Sequence, residues 1–395
     1  MLSMLRERGW SVEVLCGDRV DGRAEGWSGG TPREAGGVIV RHVEHRGIRM
    51  RVVATTAAGA IADGRLAALP LLLEAELARQ GYDIMLASGG GWCGRAVLKV
   101  ARRAGVASAF WLRNTLYQRR DIFDDVAGVM VPSAHTARHY LRTLGLRTDI
   151  VFSIVDRERV KCPVRQPRYV TFVSPLPEKG ALFVARLVSE IGRQRPDIDV
   201  MIVQGRGDAA CLEASGLEVL RLPNVRWVPR VEDPRTYLAV TRLLIFPSVW
   251  EEPLGRTAIE AMINGIPVIA SDRGGLSEAV GIGGVVLPLP ERLTPENPAL
   301  ATVAEVQPWL DEITRIWDDE DEYRMLSRRA MASSGRFDAA TLANRADALL
   351  RQWSEMPITP KLGPDPLVAG GYPGSVDELR AAYAEGLAGS ETLLA

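Results

Sequence analysis

Two carboxylates, Glu252 and Glu260, stand with seven residues between them on either side of Gly255 in the segment E-P-L-G-R-T-A-I-E. An apolar run ending at Phe246 precedes them and reads as a buried strand, and the apolar spacing after Gly255 predicts a helix. A helix start has unpaired backbone N–H groups and the positive end of the helix dipole, so Leu254, Gly255, Arg256 and Thr257 mark a place suited to phosphate. Arg256 there opposes the dipole unless an anion lies between them. Glu252 falls in the loop and Glu260 about one turn into the helix, where each can accept hydrogen bonds from sugar hydroxyls. One short element thus offers a diphosphate site flanked by two hydroxyl-binding acids, which is the chemistry of a nucleotide-sugar. Lys179 and Gly180, in S-P-L-P-E-K-G after a second apolar run (169–173), add a compact cation that suits phosphate.

Other candidates carry less. His135 and His139 are four residues apart on one helix face, a metal-like spacing, but no third ligand is near and a surface or packing role is expected. His42 and His45 fall in a hairpin. Arg113 and Asn114 end a strand at 107–112 and are candidates to touch an acceptor. Trp92 and Trp111 could stack on a sugar face, though core packing is the commoner fate of tryptophan.

These residues need elements to hold them. The spacing predicts a hairpin over 38–54 about Arg46-Gly47, a helix over 66–80, strands at 83–87, 107–112 and 128–131, and a helix over 93–104. A Gly-rich, charged stretch at 17–37 reads as a mobile loop. Polar residues 163–168 read as an interdomain linker and hinge, after which a new strand–helix series starts at Tyr169. This rhythm predicts parallel sheets covered by helices, an α/β protein. Expected domains are 1–165 and 166–338, with a helix at 339–354 returning to the first. A Pro/Gly-rich tail follows at 355–395, holding one short helix capped by Ser375 and Glu378.

With 395 residues, two domains are the natural division. The net charge of −1 with mixed signs gives no footprint for nucleic acid. Cys16, Cys93, Cys162 and Cys211 lie far apart with no CxxC pair, which speaks against zinc and disulfide frameworks and for a reducing compartment. No long apolar run or signal peptide is present, so the expected location is cytoplasmic, with peripheral membrane contact left open.

From Glu252 to Glu278, with P-S before it and G-x-P-V and G-G-x-x-E within it, the chain resembles the donor-site signature of the family 4 glycosyltransferases (glycosyl transferases group 1). The resemblance implies the GT-B fold: two Rossmann-like, doubly wound domains facing across a cleft, with a nucleoside-diphosphate sugar held mainly by the second. It implies retaining transfer to an acceptor hydroxyl of a small molecule, glycan or lipid-linked sugar, without a metal or other cofactor. By the same resemblance Lys179 and Glu252 are the catalytic candidates. Ser174, Gly180, Arg230, Leu254, Gly255, Arg256, Thr257 and Glu260 would bind the donor, with the base beside 228–230.

The chain also departs from the family. Ser174 stands where members hold an arginine, and the loop 88–92 lacks their histidine. Members begin with a buried strand and Gly-rich loop ahead of the first helix, so the resemblance implies an incomplete amino terminus. Two other readings stay open: a non-catalytic nucleotide-sugar-binding partner of a transferase, and a GT-B nucleotide-sugar epimerase.

Overall fold

A computed structural model describes residues 1–20, 23–24, 31–35, 38–57, 60–61, 63–360 and 363–387. The first domain starts with α1 (Leu2–Arg6) and β1 (Glu13–Gly17), followed by β2 (Thr31–Ala35), β3 (Val38–His45) and β4 (Ile48–Val53). The order β1-β4-β3-β2 makes one sheet, parallel between β1 and β4 and antiparallel beyond. The hairpin expected about Arg46-Gly47 forms, with both residues at positive φ (52° and 70°).

A loop does not fill the whole of 17–37. T-P-R-E-A forms edge strand β2, paired antiparallel with β3. Pro32 is tolerated because an edge strand need not donate on both sides. Within the same expected loop Arg19–Val20 and Arg23–Ala24 pair antiparallel, and 21–22, 25–30 and 36–37 lie outside the described residues.

After α2 (Ala68–Arg79) come β5 (Ile84–Ala87), α3 (Gly91–Arg103), β6 (Ala107–Trp111), β7 (Gly128–Val131), α4 (Ala134–Leu144) and β8 (Asp149–Ile150). Their sheet, β8-β7-β6-β5, is parallel throughout. Ser133 caps α4 by accepting from the Thr136 N–H, and Gly145 closes the helix at φ 61°.

The second domain contains β9 (Tyr169–Val173), α5 (Ala181–Gln194), β10 (Val200–Val203), β11 (Val225–Val228), β12 (Thr241–Phe246), α6 (Arg256–Ile263), β13 (Val268–Ser271), α7 (Leu276–Val280) and β14 (Gly284–Leu287). Six parallel strands in the order β11-β10-β9-β12-β13-β14 make its sheet. Strands buried on both faces explain the near-continuous Val/Ile/Leu runs that made this half readable. Helices α8 (Val303–Asp318) and α9 (Glu320–Ser334) finish the domain. Trp309 and Ile313 of α8 are buried in the same cluster as Phe172 and Phe183.

The chain then crosses back. Leu350 and Trp353 of α10 (Ala339–Ser354) pack with Leu5, Ala109 and Met130 of the first domain. Beyond it, α11 (Pro366–Gly370) and α12 (Val376–Leu387) also lie on the first domain. Arg95 donates to the Gly370 carbonyl (3.0 Å), and the Trp92 and Tyr372 rings meet edge to face at 5.0 Å. Arg380 bridges Asp365 (2.7 Å) and Glu74 (3.0 Å).

The linker at 163–168 is fixed to the second domain. Gln166 and Arg168 N–H groups donate to the Ala239 and Val240 carbonyls (2.8 and 2.9 Å), and Cys162 N–H donates to Asn264 Oδ1 (2.8 Å). Val155 and Val160 are buried in the second-domain core. Phe152 also packs on that core, its ring 5.1 Å from Phe337. Among the described residues, no helix is long and apolar enough to cross a membrane.

Candidate functional site

In an open parallel sheet, ligands sit beyond the carboxyl ends of the strands where the strand order reverses. Here that point falls between β9 and β12, and the loops leaving these two strands carry Lys179 and Glu252.

Beyond β9 the chain turns sharply. Ser174 takes a left-handed conformation (φ 64°), which strains a residue with a Cβ and is characteristic of functional turns. Its hydroxyl accepts from the Arg206 N–H (3.2 Å), and Gly205 and Gly207 let the neighbouring loop close over 174–176. A short turn, Pro177–Lys179, then delivers Lys179 to the cleft. Gly180 (φ 83°) lies so close to β12's exit that a Cβ there would stand 2.1 Å from the Pro247 carbonyl oxygen. That close approach puts the Lys179 ammonium against Glu252 Oε1 and 5.4 Å from the centre of the Phe246 ring. Ser248 Oγ donates to the same carboxylate oxygen (2.9 Å). Glu252 is 5% exposed, so this charge is kept dry by two partners rather than by water.

Gly255 (φ 97°) forms the turn into α6, and a Cβ there would strike Leu276 at 2.5 Å. Leu254 is buried beneath it, while the opposite face of α6 packs Ala258, Ile259 and Met262 into the core. Thr257 is half-buried in the first turn. Arg256 is exposed and reaches back to Glu260 Oε1 (3.4 Å), and burial pushes the Glu260 carboxyl above its usual range. Arg230 sits exposed just past β11 on the same rim. Lys179, Glu252, the α6 start and Glu260 thus lie along one edge, in the order cation, buried acid, free N–H groups, second acid.

The G-G-x-x-E run supports this arrangement from behind. Gly274 (φ 64°) touches the Glu252 backbone so closely that a Cβ would lie 2.3 Å from its carbonyl oxygen. Gly275 N–H donates to that same oxygen (2.6 Å). Glu278 points the other way. It accepts from the Ala134 and His135 N–H groups (2.9 and 3.1 Å), at the start of α4 in the first domain.

The first-domain candidates diverge. Arg113 is exposed with its guanidinium 5.2 Å from the Trp111 ring, and Asn114 Oδ1 accepts from the Leu116 N–H (3.0 Å). Trp111 packs with the cluster around α10 and Trp92 with the tail, so both have packing partners. His135 faces Glu251 across the cleft (3.2 Å), and that contact holds the Glu251 carboxyl below its usual range. His139 lies against Tyr140 and is held low by burial. His42 and His45 belong to β3. Among the described residues, no group of three or more His, Cys, Asp or Glu is placed to hold a metal ion.

The sequence reading missed the role of Glu278 and Thr136, whose hydroxyl donates to the Pro253 carbonyl (3.2 Å). A local pattern cannot show that a carboxylate caps a helix 144 positions away.

Residues 167–313 match the family model described as Glycosyl transferases group 1. A D-inositol 3-phosphate glycosyltransferase of Nocardia farcinica is 31% identical over 198 residues, 47% of this chain and 40% of that one. A 2-deoxystreptamine glucosyltransferase of Streptomyces kanamyceticus is 31% identical over 145 residues, covering 36% and 34%. The chain thus spans well under two thirds of these relatives' lengths. Among solved structures, sucrose-phosphate synthase of Thermosynechococcus elongatus superposes with a TM-score of 0.67 at 18% identity, covering 89% and 90% of the two chains. Anabaena HepE in complex with UDP and glucose gives 0.61 at 18%, covering 78% and 87%. The fold is GT-B.

Proposed function

We propose that this GT-B chain is a glycosyltransferase, moving a sugar from a nucleoside-diphosphate sugar to an acceptor hydroxyl with retention and without a metal. The observation that carries this reading is the meeting of Lys179 and Glu252 at the sheet's switch point, beside the open N-terminus of α6. The family match over the domain that holds these residues supports it, as does the UDP in the HepE complex. Donor diphosphate would lie between Lys179 and the N–H groups at Gly255–Thr257, with Ser174 adding a neutral hydrogen bond where a second cation would be stronger. Glu252 would accept from the transferred sugar's hydroxyls and Glu260 from the ribose. Arg230 and the backbone at 228–230 would flank the base.

In transfer, the bond from the anomeric carbon to the diphosphate oxygen breaks as one to the acceptor oxygen forms on the same face. The acceptor's proton passes to the departing phosphate. Lys179 and the helix N-terminus stabilise the charge that grows on the leaving group, so the remaining work is positioning. Arg113 and Asn114 are the proposed acceptor contacts, and the proposed location is the cytoplasm.

The test is turnover of UDP-, GDP- and dTDP-sugars in EDTA, with product anomers read by NMR and Lys179→Ala alongside. An α-linked product from an α-linked donor is expected, with kcat reduced about 10²- to 10³-fold in the variant. An inverted product or a requirement for metal would overturn the mechanism. Donor binding with no turnover would favour the non-catalytic binding reading instead.

A further inference from the structure

Two cations at the donor site are already matched by acids. Lys179 is paired with Glu252, and Arg256 with Glu260 (3.4 Å). Each phosphate of a diphosphate ester brings a negative charge, and two neutral pairs leave only the N–H groups of α6 to meet it. Charge growing on a leaving group is stabilised by cations and donors fixed beside it. Of the other arginines on loops at the carboxyl end of the second sheet, Arg273 donates to the Pro290 carbonyl (3.2 Å) and lies near Glu251. Arg230 follows β11, two strands from β9. Arg206 follows β10, the direct neighbour of β9.

The register of β9 and β10 sets where Arg206 stands. Val173 pairs with Val203, and the Ser174 N–H donates to the Val203 carbonyl (2.9 Å), so the two chains leave the sheet side by side. Q-G-R-G then folds over S-P-L. A Cβ on Gly205 would lie 2.6 Å from Ser174 Cβ, and one on Gly207 would lie 2.2 Å from the Pro175 carbonyl oxygen. Both ends of the turn thus rest on 174–175, and Arg206 carries the one side chain between them. Its backbone N–H donates to the Ser174 hydroxyl (3.2 Å), which fixes the turn without using the guanidinium. Accepting that bond leaves the hydroxyl hydrogen of Ser174 available to a phosphate. The strained, left-handed Ser174 (φ 64°) is held at this contact, and stored backbone strain clusters at ligand sites. Two residues on, the Leu176 carbonyl accepts from the Lys179 N–H (2.9 Å). Arg206 and Lys179 are therefore both fastened to one tight turn beyond β9.

We propose that Arg206 is a catalytic residue of the donor site, its guanidinium donating to the diphosphate beside Lys179. This rests on the glycosyl-transfer reading above. The planar guanidinium suits a phosphate bidentately and keeps its charge at any working pH. Arg206 gives up no proton and forms no covalent bond. It stabilises the negative charge left on the diphosphate oxygen as the bond to the anomeric carbon breaks. With Lys179 and Arg256 balanced by acids, its charge turns a neutral site into one that attracts an anion.

The test is calorimetric titration of pyrophosphate, UDP, GDP and dTDP into the full chain, Arg206→Ala and Arg206→Lys, with uridine, guanosine and thymidine as controls. Arg206 is exposed, so Arg206→Ala is expected to keep its Tm. It should weaken pyrophosphate and the preferred diphosphate about tenfold or more, as for a lost hydrogen bond to a charged group, and leave the nucleoside unchanged. Arg206→Lys keeps the charge without the fork and should recover part of that loss. Hydrolysis of the matching nucleotide-sugar should lose about 10²-fold in kcat in Arg206→Ala. Diphosphate affinity that is unchanged in Arg206→Ala would overturn the assignment alone. Equal losses for diphosphate and nucleoside would also overturn it, since they would make Arg206 a structural part of the turn. No binding of any diphosphate by the unsubstituted chain would instead sink the donor reading, and Arg206 with it.

Discussion

Gly180 and Gly255 set the geometry of the site more than any polar group does. Each needs a left-handed backbone, and each would drive a Cβ into a neighbour: the Pro247 carbonyl at 2.1 Å for Gly180 and Leu276 at 2.5 Å for Gly255. Gly180→Ala combines strain with a backbone clash, and should lower stability by about 1–3 kcal/mol while pulling Lys179 away from Glu252. Denaturant unfolding with parallel donor titration checks both effects, and an unchanged midpoint would show that the turn relaxes freely. Glu260 presents the opposite case, since burial raises its carboxyl above the ordinary 4.5. A folded-state pKa above the unfolded one means that the native form holds the extra proton between the two values. Stability therefore falls as pH rises through that window. Glu260→Gln should remove this slope and raise Tm at neutral pH while weakening donor binding. A Tm series from pH 4 to 8 reads the sign directly, and a slope that survives in Gln would locate it elsewhere.

Elements carry the contact between domains. The loop 251–255 and helix α7 belong to the second domain, yet Glu251, Pro253 and Glu278 all touch the first two turns of α4. Glu278 serves as a cap for a helix on the other side of the cleft, a role usually worth about 0.5–2 kcal/mol. Because Gly275 is bonded to the Glu252 carbonyl, the same short element links the Glu252 backbone to the contact with α4. Glu278→Ala is predicted to favour an open form, read as a larger radius of gyration by solution scattering, whereas Glu278→Gln, which keeps an acceptor, should recover much of the compact form. Equal radii for all three proteins would contradict the latch.

Across the whole molecule, the second domain was largely legible in the sequence and the first only in part. Doubly buried parallel strands such as β9, β10 and β12 leave unbroken apolar runs, and close approaches force glycine at 180, 255, 274 and 275, so pattern and chemistry agreed there. β2 escaped notice because its edge position accepts Pro32 and charged residues. The docking of α11 and α12 onto the first domain escaped it because Arg95, Trp92 and Glu74 meet their tail partners only in three dimensions. The proposal of Arg113 and Asn114 as acceptor contacts comes from strand-end topology. The backbone pairing of 166 and 168 with 239–240 was not legible in their polar side chains.

The donor site itself is the central claim, and calorimetric titration of UDP-, GDP- and dTDP-sugars into the protein in EDTA tests it most directly, with Lys179→Ala and Glu260→Ala as comparisons. One donor class should bind saturably, and each variant should weaken it about ten- to a hundredfold, as expected for loss of a hydrogen bond to a charged group. Binding that is equally tight in both variants, or no binding of any nucleotide-sugar, would contradict it.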